Sequence, residues 1–307
     1  MGSGRWTPDD WKDYSTSHIK GKSTKEIFNA GGLDKDLDPK GVNLRESCDS
    51  KDNPESNAII VALDVTGSMA PVLDSVAREG LKTLAEEIYN RKPVTDPHIM
   101  FMGVGDVTSD RVPFQITQFE ADIRIIEQLQ KIYLEENGGS NNSESYILPW
   151  WWAATHTKLD SFEKRGKKGF LFTIGDEEPT PFLTKEQIKK FIGETPQFEK
   201  ITPEECLDLV SKQYEVFHLI IEKGHYYRKH PEKTLQAWRE LLGQRAILVS
   251  DHTKIGEIII STIQVVSGEK VDSVINSWDG TTALVVKKAI QDLSEIGGDK
   301  KGVVRFQ

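Results

Sequence analysis

The chain has 307 residues with 48 acidic and 39 basic side chains, which gives a net charge of −9 and a pI of about 5.4. This balance lacks the basic footprint of nucleic-acid-binding proteins, so it gives no support to a nucleic-acid partner. The length is sufficient for one large α/β domain, or for one domain with extensions, and for a sizeable core.

The sequence contains no signal for a membrane or an export pathway. No apolar run approaches the roughly 18–20 residues of a membrane span. The first eight residues lack the apolar core of a signal peptide. Cys48 and Cys206 lie far apart, so a disulfide is allowed but not required, and a reduced state is favoured. We therefore expect a cytoplasmic protein.

Residues 1–57 differ in composition from the rest of the chain. They are rich in Gly, Ser, Asp, Lys and Pro, with isolated apolar side chains such as Ile19, Ile27 and Phe28. This composition predicts an extension with one or two short helices rather than a separate domain. We expect Trp6 and Trp11 to pack on the core, with docking of a partner as the alternative.

The first predicted strand covers residues 58–64 and ends on Asp64, which is followed by Thr66 and Ser68. One carboxylate and two hydroxyls are hard oxygen ligands, which suit Mg²⁺ or Mn²⁺ better than Zn²⁺ or copper. Gly67 allows the backbone to turn closely enough for the three side chains to converge. Alternatively, these polar residues only cap the helix that follows.

The next segment alternates between helical and extended patterns. Apolar residues at helical spacing predict a helix from about residue 72 to residue 89. An apolar strand over 98–106 ends on Asp106, and residues 112–119 read as a hairpin strand at the sheet edge. An amphipathic helix is predicted over 122–133.

A Gly-rich loop at 138–145 precedes a predicted helix over 146–162, which contains Trp150, Trp151 and Trp152. Three consecutive tryptophans cannot share one helix face, so at least one must contact another segment or a partner. Filling of the core is the favoured use of these large side chains. The apolar strand 169–175 then leads to Asp176.

The remaining chain continues the alternation of strands and helices. We predict strands at 214–222 and 246–250, and helices at 234–242, 254–266 and 281–293. This order implies right-handed crossovers around a central, mostly parallel sheet, which is a doubly wound, Rossmann-like α/β fold. In such a sheet ligands bind beyond the carboxyl ends of the strands, where the strand order reverses.

The stretch 64–69, Asp-Val-Thr-Gly-Ser-Met, resembles the first signature of von Willebrand factor A (vWA) domains. There the pattern Asp-x-Ser-x-Ser opens the metal-ion-dependent adhesion site (MIDAS). The loop 138–145 resembles the second loop of the vWA subset that includes integrin β subunits, which implies that Glu144 reaches the metal. The segment 170–179 resembles the third loop and implies Asp176 as the last carboxylate, although Glu177 stands where Gly is commoner.

The same subset implies a second cation beside the first. An acid at the position of Asp106 helps to hold it, and Asn141 stands where that subset usually has Asp. The alternative is that Asp106 only hydrogen-bonds its neighbouring loop and binds nothing.

The resemblance implies a vWA domain over 58–266 and does not reach the rest of the chain. From composition and helical pattern we expect the N-terminal extension 1–57 to pack on this domain, and a helical tail over 267–307. The resemblance also implies one cation, Mg²⁺ or else Mn²⁺ or Ca²⁺, whose ligands are Asp64, Thr66, Ser68, Glu144 and Asp176. Members of this family without secretion signals are similar to cytoplasmic adaptors found beside AAA+ ATPases of the chelatase and MoxR type, or beside protein kinases.

Three functions compete at this stage. The favoured one is a binding module without enzymatic activity, in which an acidic side chain of a protein partner completes the coordination of the cation. A structural subunit with a residual metal site is the second. The third is a metal-assisted phosphohydrolase, but such enzymes of the haloacid-dehalogenase type need Asp-x-Asp-x-Thr, and Thr66 occupies the position of the general acid.

Overall fold

The computed structural model describes residues 4–5, 8–135 and 143–293, without the side chains of Ser68, Leu81, Lys82, Ala85 and Tyr89. The described strands are β1 (Arg45–Ser47), β2 (Asn57–Asp64), β3 (Pro97–Val104), β4 (Phe114–Ile116), β5 (Ser143–Glu144), β6 (Thr157–Leu159), β7 (Gly169–Gly175), β8 (Glu178–Pro179), β9 (Leu183–Thr184), β10 (Lys200–Ile201), β11 (Tyr214–Ile221) and β12 (Ala246–Val249). The described α-helices are α1 (Pro8–His18), α2 (Thr24–Ile27), α3 (Ala70–Ser75), α4 (Leu81–Arg91), α5 (Arg124–Leu129), α6 (Ile147–His156), α7 (Asp160–Arg165), α8 (Lys185–Ile192), α9 (Pro203–Val210), α10 (His225–Lys229), α11 (Pro231–Leu242), α12 (Ile255–Val266), α13 (Val271–Asn276) and α14 (Gly280–Ile290).

A six-stranded sheet with the order β12-β11-β7-β2-β3-β4 forms the centre of the fold. All neighbouring strands in it are parallel except β4, which pairs with β3 in the antiparallel sense. The chain passes from β2 to β3 on one side and later places β7 on the other side of β2, so the strand order reverses beside β2. This confirms the predicted doubly wound α/β fold and the edge strand.

Helices cover both faces of the sheet, and alternate residues of β2 pack against the helices on opposite faces. Ile59, Val61 and Leu63 contribute to a core with α3, α4, α5, α12 and α14. Alternate residues of the same strand, Ala58 and Ile60 among them, contribute to a second core with α6, α9 and α11. Side chains of a strand point to opposite faces in turn, so an almost wholly apolar strand is expected where both faces are covered.

Two segments near the N-terminus also contribute to the first core. Trp11 of α1 is 5% exposed, and Ile19, Ile27 and Phe28 are buried with it. Trp6 lies outside the described residues. Trp150, Trp151 and Trp152 are all buried in the second core, where they add to its volume rather than to the surface.

The predicted helix 146–162 is wrong in its middle, because β6 separates α6 from α7. β6 pairs in parallel with β1, which belongs to the N-terminal extension, where the sequence predicted no strand. The Thr157 hydroxyl donates to the carbonyl of Ala153 at 2.6 Å and lies 2.7 Å from the Tyr214 hydroxyl. A remote strand partner therefore overrides the local helical pattern.

Two other predicted helices differ from the structure in detail. The helix predicted over 72–89 contains a π-helical turn at Val76–Gly80 between α3 and α4. This turn lies against α12, where a Cβ at Gly256 would be 2.8 Å from the carbonyl oxygen of Gly80. The helix predicted over 122–133 is shorter, because Tyr133 exchanges both backbone hydrogen bonds with the Gln115 side chain.

Within residues 4–5, 8–135 and 143–293, no helix has the length and apolar character that crossing a bilayer requires.

Candidate metal centre

The three acids that were predicted at strand ends lie together at the carboxyl edge of the sheet. Asp64 is the last residue of β2, Asp176 follows β7 directly, and Asp106 comes two residues after β3. Their exposed fractions are 1%, 0% and 0%. β2 and β7 flank the point where the strand order reverses, which is the expected position of a ligand site in this fold.

Asp64 is held by three hydrogen bonds. Its Oδ1 accepts the backbone N–H of Thr66 at 2.9 Å and the Thr66 hydroxyl at 2.6 Å. Its Oδ2 accepts the hydroxyl of Tyr146 at 2.9 Å. Burial raises the pKa of Asp64 to about 7 against these hydrogen bonds, and the nearby Asp176 carboxylate acts in the same direction.

The turn after Asp64 is a single 3₁₀ turn at Gly67–Met69, which Thr66 precedes in extended conformation. Thr66 is buried, and its carbonyl accepts the N–H of Met69 at 3.0 Å. The side chain of Ser68 lies outside the described part, so its predicted role as a ligand stays a prediction.

One strand pair and one hydrogen bond position Glu144 beside these acids. β5 pairs in parallel with β8, which follows Asp176 and places Glu144 opposite Pro179. The hydroxyl of the neighbouring Ser145 accepts the N–H of Val107 at 3.0 Å, which ties the same segment to the end of β3. Residues 138–142 of the loop, including Asn141, lie outside the described residues.

The carboxyl group of Glu144 is 4% exposed, and its Oε2 atom has no hydrogen-bond partner in the described structure. Burial raises the pKa of Glu144 to about 11, together with the charges of Asp64 and Glu177. A carboxyl group in this environment either holds a proton or requires a positive charge next to it.

Asp176 is anchored to α10. Its Oδ2 accepts the backbone N–H of Tyr226 at 2.8 Å, while Oδ1 has no partner in the described part of the chain. Burial raises the pKa of Asp176, although the backbone N–H groups of Tyr226 and Tyr227 oppose the rise. Gly224 is required here, because a Cβ on it would lie 2.2 Å from the Cβ of Asp176.

Glu177, the acid that replaces the commoner Gly, also faces the other acids. Burial raises its pKa to about 8, together with the charges of Asp64 and Asp176, and its Oε2 is buried without a described partner. We refer to Asp64, Glu144, Asp176 and Glu177 as the acidic cluster.

Asp106 is satisfied by its own loop. Its Oδ1 accepts the N–H of Thr108 at 3.0 Å, and its Oδ2 accepts the Thr108 hydroxyl and the Ser109 hydroxyl, the latter at 2.7 Å. These bonds agree with a role in stabilising the loop. The second cation between Asp106 and Asn141 stays a prediction.

The sequence did not single out Tyr146, although it makes a direct contact with Asp64. Tyr146 is fully buried and lies edge-on to the rings of His218 and Trp238. Its hydroxyl passes over Gly175, where a Cβ would lie only 1.9 Å from it. Its position two residues after Glu144 was the only feature of the sequence that pointed to a role at this site. The need for Gly at position 175 was not predictable, because it arises from the packing of two segments that are remote in sequence.

The acidic cluster fits a cation in its chemistry. Glu144, Asp176 and Glu177 each leave one buried carboxylate oxygen without a described partner. In the described part of the chain, none of the largest influences on the pKa of Asp64, Glu144 or Glu177 is a lysine or arginine. Several carboxylate oxygens are the donor set that hard divalent cations prefer.

The geometry is nevertheless not that of a closed metal site. Among the described residues, no three His, Cys, Asp or Glu side chains form a group already arranged to hold a metal ion. Both oxygens of Asp64 accept hydrogen bonds. Thr66 and Ser68 are hydroxyl residues, so they are not counted among the His, Cys, Asp and Glu side chains. Binding of a cation therefore requires the carboxylates to move towards one another.

Comparison with known proteins adds little to this picture. No protein-family model matches the sequence, and no curated protein is significantly similar to it. The pilus adhesin SpaC from Lactobacillus rhamnosus GG, in its open conformation, matches with 12% identity and a TM-score of 0.47, over 77% of this chain and 31% of the adhesin. A second SpaC structure matches with 13% identity and a TM-score of 0.47, over 74% and 31% of the two chains.

The ArnB paralog VWA2 from Sulfolobus acidocaldarius matches with 10% identity and a TM-score of 0.26, over 67% of this chain and 44% of that one. The chain thus spans 31% of the adhesin and 44% of the paralog. The resemblance to vWA domains therefore rests on the sequence motifs.

Proposed function

We propose that this chain is a metal-ion-dependent protein-binding module. In this proposal one divalent cation, Mg²⁺ or else Mn²⁺ or Ca²⁺, is held by Asp64, Thr66, Ser68, Glu144 and Asp176. One coordination position stays open for an Asp or Glu carboxylate of a protein partner. The observation that carries the proposal is the set of buried, unpartnered carboxylate oxygens at the switch point of the sheet.

Each side chain has a defined part in this proposal. Glu144 and Asp176 supply the carboxylate oxygens that lack partners, and Thr66 Oγ1 can offer a lone pair while it donates its proton to Asp64. Asp64 contributes a charge that Tyr146 and Thr66 orient. The cation supplies the positive charge that lets an acidic partner approach an acidic surface.

The proposal is of a binding module rather than an enzyme. Thr66 stands where a phosphohydrolase of the haloacid-dehalogenase type needs its general acid. The partner is a protein, and the family resemblance points to an AAA+ ATPase or a protein kinase system. The shared requirement is an exposed Asp or Glu side chain that can enter the open position.

The test is co-purification of the tagged chain from its native source, in buffered Mg²⁺ and in chelator. We expect a partner that is retained in Mg²⁺, released by chelator and absent when the tagged chain carries Asp64→Ala. Asp251→Ala is the matched control, because Asp251 also follows a strand and also accepts the N–H and hydroxyl of the Thr two residues later. It should retain the partner.

A complex that survives both chelation and Asp64→Ala would overturn the proposal in favour of a structural subunit. Release of phosphate from simple phosphate esters by the purified chain in Mg²⁺, lost in Asp64→Ala, would instead favour a phosphohydrolase.

A further inference from the structure

A patch of exposed basic residues borders the acidic cluster. It consists of Lys223, His225, Arg228, Lys229 and His230, which are all exposed and lie on α10 or directly beside it. We call this patch the basic lip. Such a concentration of basic groups stands out in a chain whose net charge is −9.

The basic lip is fixed to the metal centre by the contacts of Asp176. The first turn of α10 donates the Tyr226 N–H to Asp176 at 2.8 Å. Gly224, at the start of the same helix, packs directly on the Asp176 side chain. Any group bound at Asp176 therefore has the basic lip as its neighbour.

Two acids close to the basic lip, Glu222 beside it in sequence and Glu178 through a hydrogen bond from Tyr226, are engaged with lysines. Glu222 pairs with Lys288 at 2.6 Å, and Glu178 pairs with Lys233 at 2.8 Å. Glu232 and Asp251 contribute opposing charges, and Lys223 acts directly on the pKa of Asp251, which it lowers. Within the described structure, no ion pair involves Lys223, Arg228 or Lys229, and the Arg228 side chain donates only to the carbonyl of Gly224, at 3.4 Å.

Building on the proposed function, we propose that the basic lip binds acidic side chains that flank the metal-bound carboxylate of the partner. The partner is thus an acidic protein segment with at least two neighbouring Asp or Glu residues. Once one partner carboxylate fills the open position of the cation, the acidic cluster does not attract further acidic side chains. The basic lip supplies positive charges next to that position. Lys and Arg contacts of this exposed kind contribute modestly, but several acting together select for a charged partner.

The experiment uses two fluorescein-labelled probes, pentaglutamate and the peptide Gly-Gly-Glu-Gly-Gly, with saturating Mg²⁺ and 0.1 M salt. The lip variant carries Lys223→Gln, Arg228→Gln and Lys229→Gln. The control variant carries Lys51→Gln, Lys167→Gln and Lys212→Gln, which are exposed and precede strands, at the opposite edge of the sheet. Both variants change the net charge equally.

We expect the wild type and the control variant to bind pentaglutamate roughly tenfold more tightly than the single-glutamate peptide, the sum of about three exposed charge contacts. The lip variant should bind both peptides with equal affinity. Its Mg²⁺ affinity, measured by calorimetry without peptide, should be no weaker than that of the wild type, because the substitutions remove positive charges beside the cation. The tenfold preference should shrink in 0.5 M salt, because exposed charges are screened.

Other outcomes separate this inference from the proposed function. If the lip variant keeps the tenfold preference, the basic lip has no such role, while metal-dependent binding stands. If neither peptide binds in Mg²⁺, the proposed function fails. If a labelled oligothymidylate binds as tightly as pentaglutamate and is lost in the lip variant, the lip recognises nucleic acid, and the assignment to an acidic protein segment is overturned.

Discussion

Asp64→Asn should stabilise the metal-free protein at pH 8 and abolish its response to Mg²⁺. Asn has the shape of Asp, and its side-chain oxygen can still accept the two hydrogen bonds from Thr66. Its amide can donate to the hydroxyl of Tyr146, which otherwise donates to Asp64. The substitution therefore removes the buried charge and leaves the local structure in place.

The magnitude follows from the pKa of Asp64, which burial raises from 3.8 to about 7. This rise corresponds to about 4 kcal/mol that opposes folding when the side chain is ionised. The pKa of Asp64 is higher in the folded protein than in the unfolded one. The wild type is therefore not penalised below pH 4, where Asp64 is protonated in both states, and it loses about 4 kcal/mol of stability as the pH rises through 7. The advantage of the variant should be near zero at pH 4 and about 4 kcal/mol at pH 8, which is about 6 °C in Tm for 307 residues.

The same substitution removes the proposed metal response. Mg²⁺ at a hundred times its Kd should stabilise the wild type by about 2.7 kcal/mol and should leave Asp64→Asn unchanged. Thermal unfolding followed by circular dichroism at pH 4, 6 and 8, with Mg²⁺ or with chelator, measures both effects.

Asp251→Asn serves as the control. At Asp251 the hydrogen bonds from Thr253 outweigh the effect of burial, and the pKa is lowered. This variant should lose a little stability at pH 8 and keep the full Mg²⁺ response. An Asp64→Asn protein no more stable than the wild type at pH 8 without metal would refute the reasoning from buried charge. Equal stabilisation of both proteins by Mg²⁺ would place the cation elsewhere.

Three further substitutions test individual contacts. Tyr146→Phe should destabilise the metal-free protein at pH 8 by about 1.5–3 kcal/mol in denaturant titration, because Asp64 loses a donor to its charge. Glu144→Gln should weaken Mg²⁺ binding in calorimetry more than Asn141→Ala does, and the reverse order would mean that the second loop is assigned wrongly. Gly175→Ala should lower the free energy of unfolding by about 1–3 kcal/mol in the same denaturant titration, because its Cβ would lie 1.9 Å from the Tyr146 hydroxyl; an unchanged value would contradict that packing.

The strands of the fold were predictable because their physical signal is local. A run of six or seven mainly apolar residues between polar turns is the expected pattern of a strand covered on both faces, and β2 and β7 have it. β6 was not predictable in this way, since three residues inside a helical pattern became a strand only by pairing with β1, over a hundred residues earlier in the chain.

The metal motif shows the limit of local patterns more clearly. Asp-x-Thr follows three strands, at Asp64, Asp106 and Asp251, and in all three the Thr donates its N–H and its hydroxyl to the carboxylate. The pattern alone therefore describes a turn that stabilises itself. Asp64 differs in its burial, its hydrogen bond from Tyr146 and its neighbouring acids, all of which depend on segments remote in sequence.

The acidic cluster must carry compensating positive charge in some form at neutral pH. Burial raises the pKa of Asp64, Glu144 and Glu177, together with the charges of neighbouring acids, so without a cation the folded protein favours the protonated forms of these groups. A permanent lysine or arginine partner would have satisfied the same charges at all times. In the proposed function, protons and a cation compete for these oxygens, so occupancy by the cation would be reversible. Such reversible occupancy would suit the proposed binding module better than a purely structural acid network.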